Sequence, residues 1–269
     1  MSQMMMSRVV RATVLLGAVG LAVGSLLVPS GPALAQSTDW SVEGGDERRR
    51  EIVRRYKGLL EKNPTEGVIF KKLVEYVGEG EGLDRLIGEY QKKAEGSPER
   101  ENYWLILGHL LKVKNADEEA LIAYQKAVDL APDKPVVWTS RGSVHAKLGQ
   151  REKATADYEK ALQKVDKRAR KQKLLRKLAD LAFEQRDWER AESYYDELIE
   201  LDPRNEYLRM EYAQVLVKHH RWEKAIAQYQ KLVELAGGDP KAKATTLRDM
   251  GDVYEKMDRD DKAIETYRR

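Results

Sequence analysis

Apolar residues recur along this chain at helical spacing, in paired stripes. In residues 101–134 one stripe is Trp104, Leu107 and Leu111, and the next is Ala120, Leu121, Tyr124 and Val128. Steps of three and four residues put each set on one face of a helix. No run alternates with the period of two that a strand requires. The stripes themselves repeat. Trp104 and Trp138 are 34 residues apart, as are Gly108 and Gly142, Tyr124 and Tyr158, and Ala127 and Ala161. Trp188 and Trp222, Ala191 and Ala225, and Tyr195 and Tyr229 keep the same interval. Small residues such as Gly108, Ala120 and Ala127 let helices approach closely, and Pro132 and Pro203 end second helices. A single pair of short helices cannot bury its apolar face, whereas a stack of pairs can. The pattern therefore predicts an all-α solenoid.

The fullest unit carries Trp104, Leu107, Gly108, Leu111, Ala120, Tyr124, Ala127 and Pro132. It resembles the tetratricopeptide repeat (TPR), with Leu111 where that family usually has Tyr. In the same register, repeats are expected at 67–100, 101–134, 135–168, 172–205 and 206–239, with a partial one at 244–269. Residues 169–171 and 240–243 are then insertions between repeats. Ile52, Tyr56, Leu59 and Pro64 match only a second helix, so 46–66 is expected as a lead-in helix of that type. The resemblance implies a right-handed superhelix of helix-turn-helix units with a concave groove. Ile264 and Tyr267 would lack a following repeat, which points to a longer protein or to something docked on that end.

The first 35 residues differ from the rest. Arg8 and Arg11 precede a charge-free apolar run from Ala12 to Val28, then Pro29 to Pro32 and a small-x-small Ala33-Leu34-Ala35. That order reads as a signal peptide (1–35) cut before Gln36, so the mature chain is expected to be exported, periplasmic or secreted. The alternative is an uncleaved membrane anchor, and contact with a membrane is expected only in that case. Residues 36–45 are polar and Gly-rich and read as a flexible leader. The 269 residues contain no Cys, four His and 35% charged residues. Disulfides, thiolate metal sites and a Cys nucleophile are thereby excluded. Without Arg8 and Arg11 there remain 46 basic against 45 acidic residues, a balance that gives no argument for nucleic acid.

No motif of metal, nucleotide or hydrolase chemistry is present, so no catalysis, no cofactor and no metal are expected. His219-His220 read as surface residues and His145 as a packing residue. Gly78, Gly80 and Gly82 form a loose turn between helices, and Trp188 and Trp222 pack the turns at the starts of second helices. One basic cluster runs from Lys164 to Lys177, including Arg168, Arg170, Lys173 and Arg176, with only Asp166 against it. It reads as a solvated junction or as a patch for an anionic partner.

The resemblance assigns the groove to the first helix of each repeat, at its second, fifth, ninth, twelfth and thirteenth positions. In repeat 101–134 these include Asn102, Leu105 and His109; in 135–168, Thr139 and Ser143. In 172–205 they include Arg176, Asp180 and Phe183, and in 206–239, Tyr207, Met210 and Gln214. Such a mixed lining suits a protein or peptide partner. The ninth positions hold no Asn, so the family's clamp for a terminal carboxylate is not expected. The expected role is an exported scaffold; the alternatives are a solenoid arm of a larger protein with an effector domain beyond residue 269, or a plain spacer.

Overall fold

The computed structural model describes the backbone of residues 40–269 and the side chains from residue 47. Asp46–Arg269 form a compact unit. The expected signal peptide and the start of the leader lie outside the described residues. Among the described residues are thirteen helices and no strand. Helix α1 (Trp40–Lys62) is followed by six pairs: α2 (Val68–Val77) with α3 (Glu81–Gly96), α4 (Glu101–Val113) with α5 (Asp117–Leu130), and α6 (Pro135–Lys147) with α7 (Arg151–Lys164). The later pairs are α8 (Arg168–Glu184) with α9 (Trp188–Leu201), α10 (Glu206–Lys218) with α11 (Trp222–Leu235), and α12 (Pro240–Lys256) with α13 (Asp260–Arg268). None of these helices is long and apolar enough to cross a membrane.

Second helices stand side by side. Glu159 meets Arg190, and Glu192 meets Lys224, at offsets of 31 and 32 residues. Lys57 meets Glu89 and Glu61 meets Lys93, both at an offset of 32, so α1 stands beside α3 as a second helix would. The leader is corrected in its second half, since α1 begins at Trp40 and includes Gly44 and Gly45. Each glycine costs about 1 kcal/mol inside a helix, and the Glu- and Arg-rich turns that follow let the helix extend back through them.

Close approach within a pair depends on the eighth position of the repeat. A methyl carbon on Gly108 would lie 2.5 Å from the Tyr124 ring, and one on Gly142 would lie 3.0 Å from Tyr158. Ala179 and Ala213 take this place in α8 and α10, and both are buried. In α2 the same place holds Val74, and α2 and α3 touch far less than the other pairs. A branched side chain there holds the two helices apart. Position seven varies too. Where other repeats have Leu, Tyr or Met, α6 has Arg141, whose guanidinium grips the Asp157 carboxylate of α7 through Nε (2.8 Å) and Nη2. Both side chains are largely buried.

Five of the pairs turn alike. Asn115, Gly149, Arg186, His220 and Asp258 all have φ between 55° and 69°. The next amide reaches back five residues, as from Ala116 to Leu111 O (2.9 Å) and from Arg221 to Leu216 O (2.8 Å). This satisfies carbonyls that the helix end leaves free. The residues of the two expected insertions are helical. Residues 169–171 lie within α8, and 240–243 form the first turn of α12. Both helices have 17 residues, against 13 in α4, α6 and α10. Arg168-Ala169-Arg170-Lys171 are good helix formers. In α12, Pro240 opens the helix and the Asp239 carboxylate accepts from the amides of Lys241 (2.9 Å) and Ala242 (3.1 Å), a side-chain cap.

Candidate functional site

The first helices form the second wall of the array. Lys112 of α4 donates to Ser143 Oγ of α6 at 3.1 Å, and Arg176 of α8 makes a bidentate pair with Glu211 of α10 at 2.9 and 3.0 Å. Along α4 this wall is not free. The α1–α2 connector leaves α1 beside Asn102, whose Nδ2 donates to Glu61 O at 2.7 Å. Further along, His109 Nε2 sits 3.3 Å from Pro64 O. Glu66 ends the run. Its carboxylate accepts from Lys112 Nζ at 2.8 and 2.7 Å and from the Tyr124 hydroxyl at 3.4 Å, and lies 3.0 Å from His109 Nδ1. Burial raises the pKa of this carboxyl, but the hydrogen bonds and charge of His109 and Lys112 outweigh it and bring the value down to about 2. Desolvation, with Glu66 as a secondary cause, pushes the Tyr124 hydroxyl well above its ordinary value, so it stays a donor.

Beyond α4 the wall opens. Lys177 Nζ approaches the Tyr158 hydroxyl at 3.4 Å and lies 5.1 Å from the centre of its ring. Burial, then the charges of Lys173 and Lys112, lower the Lys177 pKa. Asp180 is exposed, and partial desolvation with Glu211 and Glu184 nearby raises its pKa. Tyr207 is 77% exposed, and Gln214 is exposed two turns further along α10.

Family models for the tetratricopeptide repeat match residues 101–134, 136–163 and 176–240. These spans fall on α4–α11, helix pair by helix pair. The chain is a TPR protein. No curated protein matches it. Among solved structures it is similar to YrrB, a TPR protein with an unusual peptide-binding site, at 21% identity over 66% of this chain and 88% of that one (TM-score 0.47). It is also similar to PilF of Pseudomonas aeruginosa, at 16% identity over 83% and 90% (TM-score 0.48). MamA from Desulfovibrio magneticus RS-1 follows at 17% over 62% and 90% (TM-score 0.45).

In this TPR array the expected groove residues divide into three groups. Leu105, His109 and Phe183 are corrected: they are interior, with 1%, 1% and 3% exposure. Leu105 joins a cluster with Tyr124, Val137 and Val144. The connector covers His109, and His219 stacks on Phe183 with ring centres 4.7 Å apart. His219 is thus a packing residue, whereas His220 is exposed. Asn102 and Arg176 are on the wall but engaged, by Glu61 and by Glu211. Thr139 and Ser143 also lie on the wall, each bonded to its own helix, at Pro135 O and Ser140 O. Met210 is half-buried, and Asp180, Tyr207 and Gln214 stand free.

The basic cluster does not stay together. Lys164 pairs with Asp133, Arg168 with Asp202, Lys171 with Glu197 and Arg176 with Glu211. Of that run, Arg176 and Lys177 make contacts on the wall, to Glu211 and to Tyr158. Sequence reasoning missed Glu66, Lys112 and Lys177 as parts of one surface. Among the described residues no group of three or more His, Asp or Glu is placed to hold a metal ion.

Proposed function

We propose that this TPR protein is an exported interaction scaffold, without catalysis of its own, that holds a protein or peptide against the wall formed by α6, α8 and α10. A TPR fold is generally a binding scaffold. The observation that carries the reading is Tyr207, a large aromatic side chain left 77% exposed on the same wall as Asp180 and Gln214. An exposed aromatic anchor among polar neighbours is the pattern that interfaces favour. The stacked helices hold these groups in fixed geometry before binding, which reduces the ordering cost of association. The reading of export is supported by residues 8–35, which have the basic, apolar and small-residue order of an export signal.

Affinity capture from envelope extracts tests the binding reading, with the mature protein set against Tyr207→Ala plus Met210→Ala. The double variant is expected to lose specific partners while keeping its helical circular dichroism. An unchanged set of partners would overturn groove binding. N-terminal sequencing of the expressed protein tests export: Gln36 is the expected first residue, and Met1 would refute cleavage.

A further inference from the structure

The end of α1 and the α1–α2 connector touch α4 at the second, ninth and twelfth positions of its repeat, through Asn102, His109 and Lys112. These contacts span ten residues of helix, about 15 Å of wall. They combine backbone carbonyls held by side-chain polar groups with a carboxylate held by a lysine, which is how a groove holds a peptide. Here the peptide is the protein's own. Next along the wall the chemistry continues without its counterpart. Lys112 reaches on to Ser143, and Lys177 lies over the ring of Tyr158 with its ammonium near the hydroxyl. Lys173 stands one turn away on the same helix. Among the described residues, no carboxylate comes within 4 Å of Lys173 or Lys177. Asp180 is the nearest acid along α8, and it belongs to the exposed stretch beyond. Glu66 is therefore the acid that engages the first of these three lysines, while Lys173 and Lys177 are left without a direct ion pair.

We propose that the wall from α4 to α8 docks an acidic, irregular segment of a partner protein, with carboxylates at Lys112 and Lys177, and that Glu66 is a built-in occupant of the first of these places which the partner displaces. The proposal rests on the groove reading given under Proposed function and names the chemistry of the partner. A segment with alternating acidic residues would complete charges that the wall leaves open, and the cost of entry is the release of Asn63–Glu66.

The test uses the full chain and a fluorescein-labelled peptide, Ser-Glu-Ser-Glu-Ser-Glu, with Ser-Gln-Ser-Gln-Ser-Gln as control, read by fluorescence anisotropy at low salt. Glu66→Gln is expected to bind the acidic peptide at least tenfold more tightly than the unmodified protein, and Lys177→Ala at least tenfold more weakly. The glutamine peptide should bind neither. Saturating acidic peptide should also speed hydrogen exchange at Thr65, Glu66 and Gly67. Equal affinity for the two peptides, or no gain from Glu66→Gln, overturns the proposal. The polar contacts that Lys177→Ala removes are to Tyr158, so it decides the matter if Glu66→Gln does not fold: unchanged binding then refutes the site. If the acidic peptide fails while Tyr207→Ala plus Met210→Ala still alters capture, docking of an acid falls and the scaffold reading stands. If both fail, both fall.

Discussion

The wall along α4 and the wall along α10 are built from the same repeat positions and end in opposite states. At the second position, Asn102 is bound to Glu61 O at the end of α1, whereas Tyr207 is 77% exposed. At the fifth, Leu105 is 1% exposed, whereas Met210 is half-buried. At the ninth, His109 is interior and Gln214 is free. The difference does not arise from the repeat positions themselves. At the second and ninth positions it comes from what the chain does before α4, where Glu61 of α1 and the five-residue connector lie on the wall, and at the fifth from packing of Leu105 against Tyr124, Val137 and Val144. A repeat position thus offers a side chain to one surface, and the neighbouring segments decide whether that surface is groove or core.

The largest test of this contrast is truncation at the fifth position. Leu105→Ala should cost about 2–5 kcal/mol, as a fully buried leucine does, while Met210→Ala should cost clearly less because solvent already reaches it. Urea unfolding of both variants measures this, and equal losses would mean that α4 is no more enclosed than α10. A smaller effect is expected at Gly108. Gly108→Ala drives a methyl against the fully buried Tyr124 ring, and overpacking of about 1–3 kcal/mol is partly offset by the roughly 1 kcal/mol that alanine gains in a helix. A net loss of about 1 kcal/mol should appear in the denaturant midpoint. Gly251→Ala should be close to neutral, because Tyr267 is 41% exposed and can swing away.

The smallest expected effect concerns acid. The Glu66 carboxyl has an ordinary value of 4.5 and a folded value of about 2. A depressed value means that the stability it contributes is full above about pH 4.5 and lost as the pH falls through about 2. With 35% of the side chain exposed, solvent screens part of the effect. The melting temperature of the unmodified protein should therefore fall toward that of Glu66→Gln between pH 4.5 and 2, and a constant gap across that window would contradict the assignment.

The repeating framework was legible because it rests on residues that act locally. Gly108 and Gly142 mark where a tyrosine ring must fit, and Trp104 and Trp138 tie each first helix to the preceding proline carbonyl, at Pro98 (3.0 Å) and Pro132 (2.7 Å). The form of the two insertions was not legible, because helix-forming residues carry no mark that separates an extra turn from a loop. The occupied part of the wall was hidden for another reason. Glu66 and Lys112 are 46 residues apart, and no helical period relates an irregular connector to a helix. One sign was readable. Val74 stands where every later repeat has Gly or Ala, which foretells that α2 cannot close on α3 like the others. The ninth positions hold no Asn, and the Glu66 carboxylate on the wall is met by His109 at the ninth position and by Lys112 at the twelfth.

The pair between Arg141 and Asp157 has a consequence for assembly. A protein made of near-copies must choose which helix mates with which, since most modules present much the same oily face. Arg141 acts as an address. Were α6 to take α9, α11 or α13 as its mate, its guanidinium would meet Tyr194, Gln228 or Thr266 at the place where α7 offers Asp157, whereas α3 offers an acid there, Glu89. Stranding a buried charge costs about 3–5 kcal/mol, enough for α6 to reject the three later second helices as mates.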